Sequence, residues 1–348
     1  MVKKKNTIAP DVPLATATER LLASHVSTFA VVDAEGRLVG VLEDRDIRRA
    51  ALERTSVDAT VADVMDRSPL TLPAGSDEDE ILRSVGDGAH NAVALVDGDR
   101  FVELRELSDV DRYEEPLPIA IVMAGGRGQR LRPLTDKVPK PLLKVGTTTI
   151  IERIIGALRD SGVAQFYLSV NYKAKVFEER LGDGEDLGVS IEYLREQKKL
   201  GTAGSLALLP DEPEGPVLVT NADILTRLDF GRLFRYHREH GGAATVAVVH
   251  HVTRIPYGVL NAEGGRLVGI EEKPEVRVLC NAGIYVLQPE VLRYVARDEA
   301  LDMPDLISRL LDEGIDVHLF PILERWFDIG SPEDFQRVLI EFATGEEE

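Results

Sequence analysis

Residues 119–141 read IAIVMAGGRGQRLRPLTDKVPKP. The apolar run from Ile119 to Ala124 predicts a buried strand emptying into Gly125-Gly126-Arg127-Gly128, with two cations, Arg130 and Lys140, close behind. Glycines let the backbone approach a ligand and turn its N–H groups toward it, an arrangement suited to a polyphosphate. The string is neither a Walker loop, which needs Gly-Lys-Ser/Thr after its spacer, nor the dinucleotide pattern GxGxxG. Beyond it, short apolar strands alternate with helical patterns. Helix is predicted over 151–158, 202–209 and 230–240, and strand over 166–170, 191–194 and 217–220. Such alternation predicts an α/β, Rossmann-like fold: a mixed, mostly parallel sheet with helices on both faces and ligands beyond the strands' carboxyl ends. The strand Val217–Thr220 leads to Asp223. A carboxylate there either binds a cation or caps the next helix.

Before Ile119 lies a different block. Strand, turn, strand and helix over Phe29–Leu52 are echoed by a helix over Ser76–Val85 and strands at Ala92–Val96 and Phe101–Leu104. A repeat of roughly 50–60 residues implies a pseudo-symmetric pair whose core needs both halves. Tyr113-Glu-Glu-Pro-Leu-Pro118 reads as an extended linker, giving domains 1–115 and 116–348.

Of the 348 residues 44% are hydrophobic, enough for two cores. No apolar run reaches membrane-spanning length, and the three lysines near the N-terminus precede no apolar stretch. No membrane association is expected, and the cytoplasm is the expected compartment. Cys280 is the lone cysteine, which excludes an internal disulfide and a Cys-rich metal site. A net charge of −19 argues against nucleic-acid partners and requires an anionic substrate to be met by a few placed cations. His237 and His240 share one helical turn and are expected to face solvent, His250-His251 to end a strand, and Cys280 to sit in the core.

The stretch from Gly125 resembles the signature of the sugar-1-phosphate nucleotidylyltransferases, GGxG[ST]RLxPLT followed by KP, with Gln129 where that family usually carries Ser or Thr. Further motifs follow in the family's order. Trp326-Phe-Asp-Ile-Gly-Ser-Pro332 is similar to WxDIGxP, which implies that Asp328 joins Asp223 in holding Mg²⁺, an ion that prefers oxygen ligands. Tyr257-Gly258, Glu272-Lys273-Pro274 and Asn281-Ala-Gly-Ile-Tyr285 resemble its sugar-phosphate elements, implying such roles for Tyr257, Gly258, Glu272, Lys273 and Asn281.

The resemblance implies Mg²⁺-dependent attack of a sugar 1-phosphate on the α-phosphorus of a nucleoside triphosphate, expelling pyrophosphate. Arg130 would meet the triphosphate, Lys140 the reacting phosphates, and Ala124, Gly125, Gly126 and Gly128 the β/γ oxygens. Glu196 and the turn containing Gly201 and Thr202 stand at the base-recognition position. A carboxylate there only accepts hydrogen bonds. Guanine's Watson–Crick edge offers two adjacent donors and uracil's one, which favours GTP, with UTP or dTTP as the alternative. The architecture resembles glucosamine-1-phosphate and mannose-1-phosphate guanylyltransferases, and the sugar stays open. With no hexapeptide repeat in the sequence, no fused acyltransferase is expected.

Gly40-Val-Leu-Glu-Asp-Arg-Asp-Ile47 is similar to the GhhTxxDhh segment of CBS domains, which implies Asp46 as a possible nucleotide ligand. Glu43 replaces the hydroxyl residue and would repel a phosphate, so the pair is expected to dimerise the chain, or build a larger homo-oligomer, rather than sense ATP or AMP. A competing reading is a non-catalytic regulator sensing sugar nucleotides; retained Lys140, Asp223 and Asp328 speak against it. An NAD dehydrogenase is excluded by the glycine spacing.

Overall fold

The computed structural model describes residues 6–344, apart from residues 25, 54, 57, 86–91 and 107–118. The chain divides into two compact units, Met1–Glu115 and Pro116–Glu348. The proposed linker, Tyr113–Pro118, lies outside the described residues.

In the first unit two three-stranded sheets repeat one pattern. Thr7–Ile8 runs parallel to Thr28–Val32, which pairs antiparallel with Leu38–Glu43; Thr71–Pro73, Ala92–Asp97 and Arg100–Glu106 repeat this. Ala30 and Val41 of the first half share a core with Ala92, Ala94, Phe101 and Leu104 of the second. Asp46 is engaged at the start of its own helix. It is 3% exposed; Oδ2 accepts the Glu43 N–H at 2.9 Å and Oδ1 accepts from Arg49 Nη2 at 2.8 Å. The Glu43 bond closes a capping box at the start of helix Asp44–Leu52, and Oδ1 pairs with Arg49 within the same helix. Glu43, 2% exposed, pairs with Arg45 at 2.9 Å.

The second unit is built on a seven-stranded sheet: β1 (Ile119–Met123), β2 (Gln165–Val170), β3 (Ser190–Arg195), β4 (Val217–Asn221), β5 (Ala244–Arg254), β6 (Glu275–Leu287) and β7 (Val317–Pro321). Their order is β3-β2-β1-β4-β6-β5-β7, with β6 antiparallel to both neighbours and the other pairs parallel. β1 has no exposed residue and its centre, Ala120–Val122, is fully buried, the burial its continuous apolar run requires. Chain order reverses beside β1: β2 and β3 lie on one side, β4 on the other. Ligands of open α/β sheets bind at such a switch point.

Helix Phe230–His240 begins on an Asp229 cap, its Oδ1 accepting the Gly231 N–H at 2.9 Å. Its His237 is 1% exposed, contrary to the solvent-facing expectation. It sits between Thr245 Oγ1 (2.8 Å) and Gln288 Nε2 (3.0 Å), while His240 is exposed. β5 runs through His250 and His251 to Arg254, because β6 continues opposite them, and Cys280 is only partly buried. The helix expected over 202–209 is a four-residue turn, Gly201–Gly204, followed by a 3-10 segment, Ser205–Leu208.

Candidate active site

β1 and β4 run side by side in register, Ile119 to Met123 opposite Val217 to Asn221. Their ends therefore deliver the glycine loop and Asp223 to one place. The loop is anchored at its start by the Ala124 N–H donating to the Ser169 carbonyl of β2 at 2.8 Å. Gly128 turns it with φ +58°, and a Cβ there would stand 3.0 Å from Lys140 Cβ and 3.1 Å from Thr135 Cγ2. Thr135 closes the turn by donating to the Gly128 carbonyl at 2.7 Å. Lys140 is brought onto the cavity floor this way.

The cavity measures about 810 Å³, and Gly125, Gly128, Arg130, Lys140 and Asp223 all line it. Lys140 Nζ lies 2.5 Å from Asp223 Oδ2, with the lysine side chain 10% exposed. A nearly buried ammonium needs this partner. Asp328 arrives from another direction: strand Trp326–Asp328 pairs antiparallel with Ile224–Thr226, setting Asp328 opposite Ile224, and the Ile329 N–H donates to the Asp223 carbonyl at 3.1 Å. Loss of hydration and then the Asp223 charge push the Asp328 carboxyl above its ordinary range, against the pull of Lys140 and Arg130. Asp328 itself stays exposed on one side.

Asp223 and Asp328 lie close enough for their charges to interact, and among the described residues no group of three or more His, Cys, Asp or Glu side chains gathers there. Arg130, exposed, packs against Gly330 and forms no ion pair among the described residues, leaving its guanidinium available to an anion.

Elsewhere the expected residues separate. Glu196 is engaged behind the loop: Oε1 accepts from Ser169 Oγ at 2.7 Å and Oε2 from the Leu200 N–H at 2.9 Å. Gly125 lies against it, and a Cβ there would stand 2.6 Å from Oε1 and displace that carboxylate. Gly201 and Gly204 do not open a face to a base. A Cβ on Gly201 would meet the Leu301 carbonyl at 2.5 Å and one on Gly204 the Glu299 carbonyl at 2.4 Å. Thr202 is tied to the same segment, its N–H donating to Asp302 Oδ1 at 3.0 Å and its Oγ1 accepting the Met303 N–H at 2.8 Å.

The sugar-side residues lie partly on an arm. Tyr257 is 73% exposed and Gly258, Glu272 and Lys273 are exposed, joined by the Lys273 N–H donating to the Tyr257 carbonyl at 3.2 Å. None of the four lines the cavity. Asn281 sits nearer the sheet: Oδ1 accepts the Gly283 N–H at 2.8 Å, and Gly283 packs on Asn221 at the end of β4. Trp326 donates to the Ala282 carbonyl at 3.1 Å, fastening this turn to the Asp328 strand.

Sequence reasoning missed Thr135, Ser169 and Asn171. Asn171 lines the cavity and donates from Nδ2 to the Glu196 carbonyl at 3.0 Å. Its position one residue past the end of a strand was a usable signal.

Comparison with known proteins agrees with this geometry. The chain is 37% identical over 226 residues to "Probable mannose-1-phosphate guanylyltransferase 1" of Oryza sativa subsp. japonica, covering 62% of each chain. It is 35% identical over 225 residues to the mannose-1-phosphate guanylyltransferase catalytic subunit beta of Danio rerio, again 62% of each. The chain thus spans 62% of the length of these curated relatives. Among solved structures, HddC from Yersinia pseudotuberculosis complexed with GMP-PN shares the fold, with a TM-score of 0.51 and 21% identity over 65% of this chain and all of that one. The CBS domain model matches residues 1–53. The Nucleotidyl transferase model matches residues 119–344, the span holding the glycine loop and both carboxylates, and the chain belongs to that family.

Proposed function

We propose that the protein transfers GMP from GTP to a sugar 1-phosphate, giving a GDP-sugar and pyrophosphate, with Mg²⁺ as cofactor. Mannose 1-phosphate is the first sugar to try, on the strength of the relatives' names, and glucosamine 1-phosphate the second. The observation that carries the reading is the Lys140–Asp223 pair at the floor of a glycine-walled cavity, with Asp328 beside it.

The sugar phosphate is already a nucleophile, so no Ser, Cys or His base is needed; the protein positions reactants and neutralises charge. Asp223 and Asp328 would hold the Mg²⁺, which when bound neutralises charge on the phosphates. Lys140, released from Asp223, donates to the oxygens of the reacting phosphate. Arg130 and the loop N–H groups bind the β and γ phosphates. Tyr257, Gly258, Glu272, Lys273 and Asn281 would receive the sugar phosphate, which requires the arm to meet a ligand seated over β4. Residues 1–115 act as a CBS pair that associates chains, with Glu43 in place of the hydroxyl residue disfavouring a phosphate ligand.

Pyrophosphate release with GTP, UTP, dTTP, CTP and ATP crossed against mannose, glucosamine and glucose 1-phosphates tests this reading. Turnover restricted to GTP is expected. Preference for UTP or dTTP would overturn the base assignment, and absence of turnover despite nucleotide binding would put a regulator in its place.

A further inference from the structure

The strand order sets a direction along the cavity. Asp223 follows β4, the glycine loop follows β1, Asn171 follows β2 and Gln197-Lys198-Lys199 follow β3. β4 and β3 are three strand spacings apart, roughly 14 Å at about 4.7–4.9 Å each. A nucleotide whose reacting phosphate meets Lys140 therefore carries its base toward β2 and β3.

Two cations wait at that end. Lys198 and Lys199 both line the cavity, and neither has an ion pair or side-chain hydrogen bond among the described residues. The adjacent carboxylate is not their partner, because Glu196 is taken by Ser169 and Leu200. Lysines this exposed are ordinarily solvated surface groups. Here they stand on a cavity wall next to an oriented amide. Asn171 uses Nδ2 on the Glu196 carbonyl, which leaves Oδ1 as an acceptor.

We propose that Lys198 and Lys199 read the O6/N7 acceptor edge of a 6-oxopurine, with Asn171 Oδ1 accepting from its N1–H. Adenine keeps the N7 acceptor but reverses the other two groups, with an amino donor at position 6 facing an ammonium and an acceptor at N1 facing the Asn171 oxygen. This inference rests on the guanylyl-transfer reading, and it moves base recognition from Glu196 to its neighbours.

The test is a cycle between protein and ligand. The full-length protein and its Lys198→Ala/Lys199→Ala variant are compared with GTP, 7-deaza-GTP, which lacks the N7 acceptor, and ATP. Both kcat/KM for pyrophosphate release and Kd by calorimetry are measured. The native protein should favour GTP over 7-deaza-GTP by about tenfold to a hundredfold, the scale of a hydrogen bond to a charged group. The variant, which gives up the O6 contact as well, should lose at least that factor on GTP and no longer distinguish the two.

A variant that weakens GTP, 7-deaza-GTP and ATP equally while keeping the native 7-deaza penalty would overturn the proposal and make the lysines general phosphate attractors. An unchanged variant would make them surface lysines. Failure of guanylyl transfer itself shows separately, as a native protein without turnover, and the Kd cycle still decides the base contact.

Discussion

The sheet body and the arm are made from the same two strands. The inner halves of β5 and β6, Ala244–Val248 and Ala282–Leu287, are buried in the sheet, whereas His251–Arg254 and Glu275–Val278 are exposed. The hairpin between them carries Leu260 at 61% and Ile270 at 65% exposure. In the body, side chains at strand tips are positioned by register and packing before any ligand arrives; Lys140 and Asp223 already touch. On the arm only strand pairing fixes the backbone, and Tyr257 and Lys273 have no packed surroundings to hold them. The proposed catalytic groups thus sit on the packed part, and the proposed sugar-binding groups other than Asn281 on the part free to respond to a substrate.

The sharpest way to break this comparison is to remove charge from the body. Asp223→Asn keeps an acceptor for Lys140, so the fold should persist, while pyrophosphate release should fall roughly a thousandfold or more. A loss of only a few-fold would take Asp223 out of the chemistry. Next comes packing. Ile121→Ala, at a fully buried site in β1, should cost about 2–5 kcal/mol in denaturant unfolding, and Ile270→Ala on the arm should stay within about 0.5 kcal/mol. Comparable costs would mean that the arm packs against something in solution.

The body should also register pH. Burial, with a contribution from His318, pushes the His237 imidazole down to about 4 from 6.5. The folded protein holds it neutral, while the unfolded chain takes up its proton near pH 6.5. Stability from this group is therefore complete above that pH and is lost as pH falls toward 4, on the order of 3 kcal/mol in all. Denaturant midpoints for His237→Gln should flatten over this window relative to the native chain. Smallest is the arm's own effect: Tyr257→Ala should raise KM for the sugar phosphate about tenfold and leave KM for GTP unchanged. A matching rise for GTP would place Tyr257 on the nucleotide.

The body was legible in the sequence because its signals are local and redundant. A continuous apolar run marks β1, glycines its turn, and helix Phe230–His240 begins at an aspartate cap and ends at Gly241. The arm was not, since its strands expose both faces and carry neither a continuous apolar run nor clean alternation. The turn Gly201–Gly204 hides a constraint of a different kind. Its glycines look like ligand-facing ones but answer to the Glu299–Leu301 backbone, about 100 residues away in sequence. The Glu196 contact with Ser169 was hidden as well, because it appears only once β2 and β3 are paired, whereas its bond to the Leu200 N–H is local.

The central claim is that the Lys140–Asp223 floor performs chemistry rather than merely holding nucleotide. Single-turnover pyrophosphate release by Lys140→Met, set against its calorimetric Kd for GTP, tests this most directly. The account predicts a rate lower by about a hundredfold to a thousandfold, with Kd changed by no more than a few-fold. Equal losses in rate and affinity would contradict it and reduce Lys140 to a binding residue.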